Sequence, residues 1–181
     1  MYKRQPDKIP TTPITSALAG APAAISQVVI RTVRGRSGPE EELVFYRDKI
    51  PDPCMPREDG GWLTSYAPSG AIASRRGAKV RADYFVVYLA KAPAKGDAPV
   101  GVVSSAAKQD PAAGVRSASL HVFEDDGYRS FIYDQYFSAA LSFDDVDGAH
   151  AAGRIYLALP DEGRSMLVGA FDAKRCPASN D

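Results

Sequence analysis

The stretch RSFIYDQYFSAALSF, residues 129–143, decides the fold class because its apolar residues occupy alternate positions. After Arg129, every odd-numbered position except Gln135 is apolar: Phe131, Tyr133, Phe137, Ala139, Leu141 and Phe143. The even-numbered positions are Ser or Asp, with Ile132, Tyr136 and Ala140 as exceptions. A period of two sends alternate side chains to opposite faces of a strand. The stretch therefore predicts a β-strand with one buried and one wetter face, as in an antiparallel sheet.

The neighbouring segments repeat this pattern and are separated by turn sequences. Residues 115–124, 153–159 and 165–173 are strand candidates, and the connectors EDDG, DDVDG and PDEG are rich in Asp and Gly. Asp and Gly tolerate positive φ, and Pro presets φ for a turn. Residues 115–173 are therefore predicted to form a four-stranded meander.

The N-terminal half has further strand candidates and no ten-residue helical pattern. The candidates are residues 25–33, 41–47, 62–66, 79–90 and 99–105. Many short strands without alternating helices favour an all-β fold, an antiparallel β-sandwich or flattened barrel of about nine strands.

The domain organisation follows from composition. Residues 1–5, MYKRQ, fit the codons at the end of a transposon adapter used in sequencing libraries, so we expect them to be foreign to the protein. Residues 6–24 are rich in Pro and Ala and predict a disordered linker or a truncated signal region. Residues 25–176 are predicted to form a single β domain, followed by a tail at 177–181.

Charge and hydropathy bear on the partners. The chain has 22 basic and 22 acidic residues, so its formal net charge is zero and we expect no nucleic-acid partner. No run approaches the roughly 20 apolar residues of a membrane-spanning helix, so we expect no transmembrane segment within this sequence. The expected partner is a protein or a glycan.

Two cysteines, Cys54 and Cys176, lie in irregular segments next to Pro. They are either a disulfide or two unrelated thiols, and we predict the disulfide. In the chain-entropy model, closing a loop of about 120 residues contributes roughly 4–5 kcal/mol. Such a bridge indicates an oxidising compartment: periplasm, cell surface or the extracellular medium. The run of residues 153–176 also resembles the last hairpin of exported bacterial all-β domains.

The sequence contains no common catalytic, phosphate-binding or metal motif, so no catalytic residue, cofactor or metal is predicted. Ser119, His121 and Asp134 supply the residue types of a hydrolase triad, but a surface or hydrogen-bonded strand histidine is the favoured interpretation of His121. His150 is expected to lie in a solvated turn. The sequence FDDVDGAH lacks the first and last ligands of an EF-hand loop and predicts a tight turn.

Aromatic residues provide the candidate ligand-binding site. Trp62, Tyr84, Tyr88 and Tyr136 would form a stacking platform for sugars if they were exposed together. The alternative is that they pack in the core, because aromatic residues are enriched in strands in any case.

Three functions follow from these observations. The first is a non-catalytic exported β-sandwich with a structural or partner-binding role. The second is a carbohydrate- or small-ligand-binding module that uses the aromatic face. The third is a small hydrolase with catalytic residues on loops, which requires His121 or His150 in a pocket beside a carboxylate or hydroxyl.

Overall fold

The structure is a computed structural model, and it confirms the all-β class. It describes residues 9–35, 38–51, 53–54, 72–73, 79–80, 83–89, 92–94, 115–124, 127–134 and 136–177. These residues contain twelve strands and no helix. The strands are β1 (Thr15–Leu18), β2 (Ala21–Ala23), β3 (Gln27–Gly35), β4 (Gly38–Tyr46), β5 (Ile72–Ala73), β6 (Lys79–Val80), β7 (Tyr84–Leu89), β8 (Val115–Glu124), β9 (Gly127–Tyr133), β10 (Ser138–Val146), β11 (His150–Ala158) and β12 (Met166–Arg175).

Ten of the strands form one mixed, mostly antiparallel sheet, which is not closed. Eight of them follow the order β10-β11-β12-β3-β4-β7-β8-β9, and β1 and β2 extend it beside β12. The contact between β12 and β3 is parallel and the others along this order are antiparallel. Strands β5 and β6 form a separate pair.

The deciding stretch, residues 129–143, is two strands rather than one. Strand β9 ends at Tyr133 and β10 begins at Ser138, and Tyr136 between them has a φ of 65°. The two strands lie at opposite ends of the sheet order. The predicted four-stranded meander is therefore the hairpin β8–β9 followed by the meander β10–β11–β12.

The short link between β9 and β10 brings the two ends of the sheet order near each other, so the sheet folds around one inner core. Side chains from eight strands meet there, and Phe171 of β12 packs edge-on against Phe45 of β4 and Phe143 of β10. The ring of Phe171 reaches Phe143 across β11 because Gly153 lies between them. A Cβ at Gly153 would lie 2.9 Å from the Phe171 ring and 2.3 Å from the Ser142 carbonyl oxygen.

Residues 9–24, expected to be a linker or signal remnant, belong to the fold instead. Strand β1 pairs with β12 and with β2, and Ile9 is buried against the outer side of β10 and β11. The amide of Ala170 donates to the Thr12 carbonyl at 2.8 Å. Small residues allow this contact, since a Cβ at Gly169, whose φ is 131°, would lie 2.7 Å from that carbonyl oxygen.

Several strand predictions differ in their bounds. The strand predicted at 115–124 matches β8, whereas the candidate at 79–90 is divided between β6 and β7, which lie in different sheets. The candidates at 62–66 and 99–105 lie outside the described residues, as do residues 1–8 and 178–181.

The two cysteines stand at disulfide distance. The sulfur atoms of Cys54 and Cys176 lie 2.04 Å apart, across 122 residues of sequence. The amide of Cys176 also donates to the Ile30 carbonyl at 2.7 Å, next to the short parallel contact between β12 and β3. The bridge therefore fastens the end of β12 at the point where the two antiparallel halves of the sheet join.

Candidate functional site

The side of the sheet that faces away from the inner core carries polar and aromatic residues along β3, β4, β7 and β8. The register places Arg31 opposite Glu42 and, two rows further along the same face, places Tyr84 between Tyr46 and His121. Since alternate residues of a strand share a face, these rows lie on the same side. We call the following residues the outer-face layer: Arg31, Glu42, Tyr46, Tyr84, Tyr88, Ser119 and His121.

An ion pair lies at the centre of this layer. The Nε and Nη2 atoms of Arg31 donate to Glu42 Oε2 at 2.9 and 2.8 Å, and Nη1 donates to the Tyr46 hydroxyl at 3.3 Å. Arg31 is 1% exposed and Glu42 is 6% exposed. Neither charge would be tolerated at this depth without the other. The pair was missed in the sequence, although a hairpin register that pairs Gly35 with Gly38 is enough to place Arg31 opposite Glu42.

Three rings stack beside the ion pair. The rings of Tyr46 and Tyr84 have centroids 5.4 Å apart, and those of Tyr84 and His121 are nearly parallel with centroids 4.3 Å apart. The Nε2 atom of His121 shares a hydrogen bond of 2.7 Å with the hydroxyl of Ser119, which also bonds the Tyr88 hydroxyl. Of the two interpretations left open for His121, a surface or a hydrogen-bonded strand histidine, the arrangement agrees with the second, since the side chain is buried.

Burial sets the protonation of the layer. Burial, together with the positive charge of Arg31, lowers the pKa of His121 from 6.5 to about 4. Burial raises the pKa of the Tyr46 and Tyr88 hydroxyls. At neutral pH the imidazole and the phenols are therefore uncharged, and the layer holds its ion pair among neutral rings.

This shift in the pKa of His121 predicts a loss of stability in mild acid. The unfolded chain binds a proton at this histidine below about pH 6.5, whereas the folded chain does so only near pH 4. The contribution of the neutral histidine to the free energy of unfolding is therefore fully present above pH 6.5 and is lost as the pH falls towards 4. At about 1.4 kcal/mol per pH unit, the loss approaches about 3 kcal/mol. Urea unfolding at a series of pH values, with His121→Gln as the control, measures it. Equal slopes for the two proteins between pH 6.5 and 4.5 would contradict the assignment.

The structure does not bring the predicted aromatic platform together in the described residues. Tyr84 is 2% exposed and Tyr88 is half-buried, and both belong to the outer-face layer. Tyr136 is 53% exposed but lies in the bend between β9 and β10. Trp62 lies outside the described residues. A sugar ring could therefore stack on Tyr136, but a buried Tyr84 offers it no face.

The hydrolase residues are only partly assembled. Ser119 and His121 share a hydrogen bond, but Ser119 is 0% exposed and Asp134 is an exposed residue whose charge acts on Arg116. His150 lies exposed at the start of β11, with its Nδ1 atom 3.5 Å from an Asp172 carboxylate oxygen. A nucleophile without access to substrate cannot react.

The acidic sequence FDDVDGAH forms a turn, as predicted. The Asp147 carboxylate accepts hydrogen bonds from the amides of Ala149 at 2.6 Å and His150 at 2.7 Å, which lower its pKa. Within the described ranges, no group of three or more His, Cys, Asp or Glu side chains could hold a metal ion.

The exposed hydrophobic side chains are the second candidate site. Three large apolar side chains are exposed in the described part of the chain, and all lie between residues 131 and 136. They are Phe131 at 40%, Ile132 at 66% and Tyr136 at 53%, and we call them the β9 patch. The sequence contained the signal for two of them, because Ile132 and Tyr136 break the alternation of residues 129–143. Phe131 and Ile132 are consecutive and therefore lie on opposite faces of β9, so the exposed apolar side chains mark the edge of the strand, and such concentrations often mark an interaction site.

Comparisons with known proteins do not add to this geometry. Neither the family models, nor the curated proteins, nor the solved structures contain a match to the chain. Within the described residues, no helix is long and apolar enough to cross a membrane. The all-β fold and the two candidate sites are therefore the basis for assigning a function.

Proposed function

We propose that this chain is a non-catalytic, exported β-sandwich domain that binds a protein partner through the β9 patch. The observation that carries the proposal is the clustering of Phe131, Ile132 and Tyr136 on one edge strand and the bend that follows it. Apolar side chains left in water at one place gain free energy when a partner covers them, by about 25 cal/mol for each Å² of apolar surface removed from water.

The non-catalytic part of the proposal rests on the outer-face layer. Ser119 has no solvent access, and a histidine with a pKa of about 4 is a weak general base at neutral pH. The charges of Arg31 and Glu42 are directed at each other. The polar groups of the outer-face layer therefore interact with one another and stabilise the packing of β3, β4, β7 and β8.

Export is supported by the cysteines. The pair formed by Cys54 and Cys176 is typical of proteins that fold in an oxidising compartment, since cytosolic thiols are kept reduced.

Selection from a displayed peptide library, run beside a glycan array, tests this function. We expect extended apolar peptides that bind the wild-type protein and lose binding to Ile132→Lys, because a lysine at this position places a charge in the patch. Ala21→Lys, at an exposed position of β2, is the matched control and should bind as the wild type does. Glycan binding lost only in Tyr136→Ala, or peptide binding unaffected by Ile132→Lys, would contradict the proposal.

A further inference from the structure

The two edges of the sheet differ in how they are protected. Strand β10 has a register shift between Phe143 and Asp145, and exposed carboxylates at Asp144 and Asp145. Bulges and charges are the usual devices that prevent an edge strand from pairing with another chain. Strand β9 pairs with β8, and the structure shows no further strand beside it in the described ranges. Its side chains from Ser130 to Tyr133 carry no charge and no proline.

The uncharged segment of this edge strand, residues 130–133, lies between Arg129 and Asp134 and can pair with its own copy without opposing two like charges. Two copies of this chain have a formal net charge of zero each, so no net repulsion opposes their approach. A two-fold axis perpendicular to the sheet would place two β9 strands antiparallel and keep their faces aligned. Residues then pair only with residues on the same face, that is, odd numbers with odd numbers and even with even.

One register buries the most exposed side chain at the axis. With Ile132 facing Ile132 of the partner subunit, Phe131 faces Tyr133 of the partner subunit on the inner side. Aromatic cross-strand pairs of this kind are stabilising. Ser130 then faces Asp134 of the partner subunit, a hydroxyl beside a carboxylate. Of the described exposed residues, Ile132 is the most exposed large apolar one, and this register places it against its own copy at the axis.

We propose that the protein partner is a second copy of this chain, joined by antiparallel pairing of two β9 strands about an axis at Ile132. This inference rests on the proposed function, since it identifies the occupant of the β9 patch. It extends the sheet from one copy into the other, the mode known as β-strand addition. The contact is confined to one strand and its bend, which is typical of a weak, reversible dimer.

Sedimentation velocity over a range of protein concentrations tests the dimer. The wild-type protein and Ala21→Lys should show a monomer–dimer equilibrium. Ile132→Lys should weaken dimerisation by more than about tenfold, because two lysines would face each other across the axis. Circular dichroism checks that the variants fold, which we expect because Ile132 is 66% exposed. A wild-type protein that stays monomeric, or a dimer that Ile132→Lys does not weaken, would overturn the inference.

The register has its own tests. Ile132→Lys and Ile132→Glu should each be monomeric alone and form a heterodimer when mixed, because opposite charges then meet at the axis. A single cysteine introduced by Ile132→Cys should cross-link two copies through a short bismaleimide, whereas Ser130→Cys should not. The native cysteines do not interfere, since Cys54 and Cys176 are bonded to each other. Cross-linking at position 130 but not 132 would overturn the register.

The two proposals fail differently. Peptide binding that depends on Ile132 in a protein that remains monomeric refutes the dimer and leaves the binding function intact. If substitution of Ile132 changes neither peptide binding nor self-association, the β9 patch is not the binding site.

Discussion

Replacing Glu42 by glutamine is expected to lower the free energy of unfolding by about 3–5 kcal/mol. The substitution keeps the shape of the side chain and removes its charge. The guanidinium of Arg31, which is 1% exposed and donates two hydrogen bonds to Glu42 Oε2, is then left buried without a counter-charge. Urea unfolding at neutral pH, compared with the wild type, measures the loss.

A matched control exists on the surface of the same sheet. Arg154 also donates two hydrogen bonds to a carboxylate on the neighbouring strand, that of Asp144, but these side chains are 30% and 50% exposed. We expect Asp144→Asn to cost no more than about 1 kcal/mol, because water solvates the charge that remains. Equal losses for Glu42→Gln and Asp144→Asn would contradict the role given to burial.

Replacing both partners separates charge from packing. A double variant, Arg31→Met with Glu42→Leu, should recover most of the stability that Glu42→Gln loses, since no unpaired charge remains in the layer. If the double variant is as unstable as Glu42→Gln, the loss arises from packing or from the hydrogen bond to Tyr46 rather than from the buried charge.

Removing the disulfide should have the second large effect. Cys54→Ser combined with Cys176→Ser is expected to lower the free energy of unfolding by about 2–5 kcal/mol. The bridge spans 122 residues of sequence, so its loss releases a long loop in the unfolded chain. It also frees the end of β12 beside β3, where only Lys174 and Arg175 make the parallel contact. Thermal unfolding of the purified proteins without reductant measures the difference.

The reduced wild-type protein is the control for the disulfide. With reductant present, its stability should match that of the double serine variant, since both then lack the cross-link. Alkylation of unreduced protein, after folding under oxidising conditions, should label neither cysteine. Full labelling of both would contradict the bridge and remove the support for export.

The sequence predicted the β-strands well where alternation and turns agree. The segment 115–124 matches β8 because its strand pattern is bounded by clear turn residues. The stretch 129–143 was predicted as one strand because the four residues between β9 and β10 preserve the odd–even phase. Phe131 and Phe137 keep the same parity on either side of the bend, so alternation alone cannot reveal it.

Tertiary contacts explain what the sequence did not predict. A Pro- and Ala-rich segment is typical of a linker, and residues 9–24 fold only because Gly163 and Gly169 leave room for them beside β12. Arg31 and Glu42 lie among charged and apolar residues with no motif to distinguish them. Their pairing depends on a hairpin register that brings them together, and their burial depends on the whole sheet.

The candidate site was predicted in part for a similar reason. Tyr84 and Tyr88 were correctly placed on one face, but sequence alternation does not say whether that face is covered. Ile132 broke the alternation and was an exception without an explanation until the sheet order placed its strand at an edge. Exposure and edge position are properties of the assembled fold.

One measurement tests the central claim, that the outer-face layer is structural and that binding occurs at the β9 edge. Amide spectra of uniformly ¹⁵N-labelled protein, recorded by NMR over a series of concentrations, report every backbone position at once. We expect concentration-dependent shifts in residues 130–136, with the amides of Arg31, Glu42 and His121 unchanged. Shifts confined to the outer-face layer, with residues 130–136 unaffected, would contradict the account.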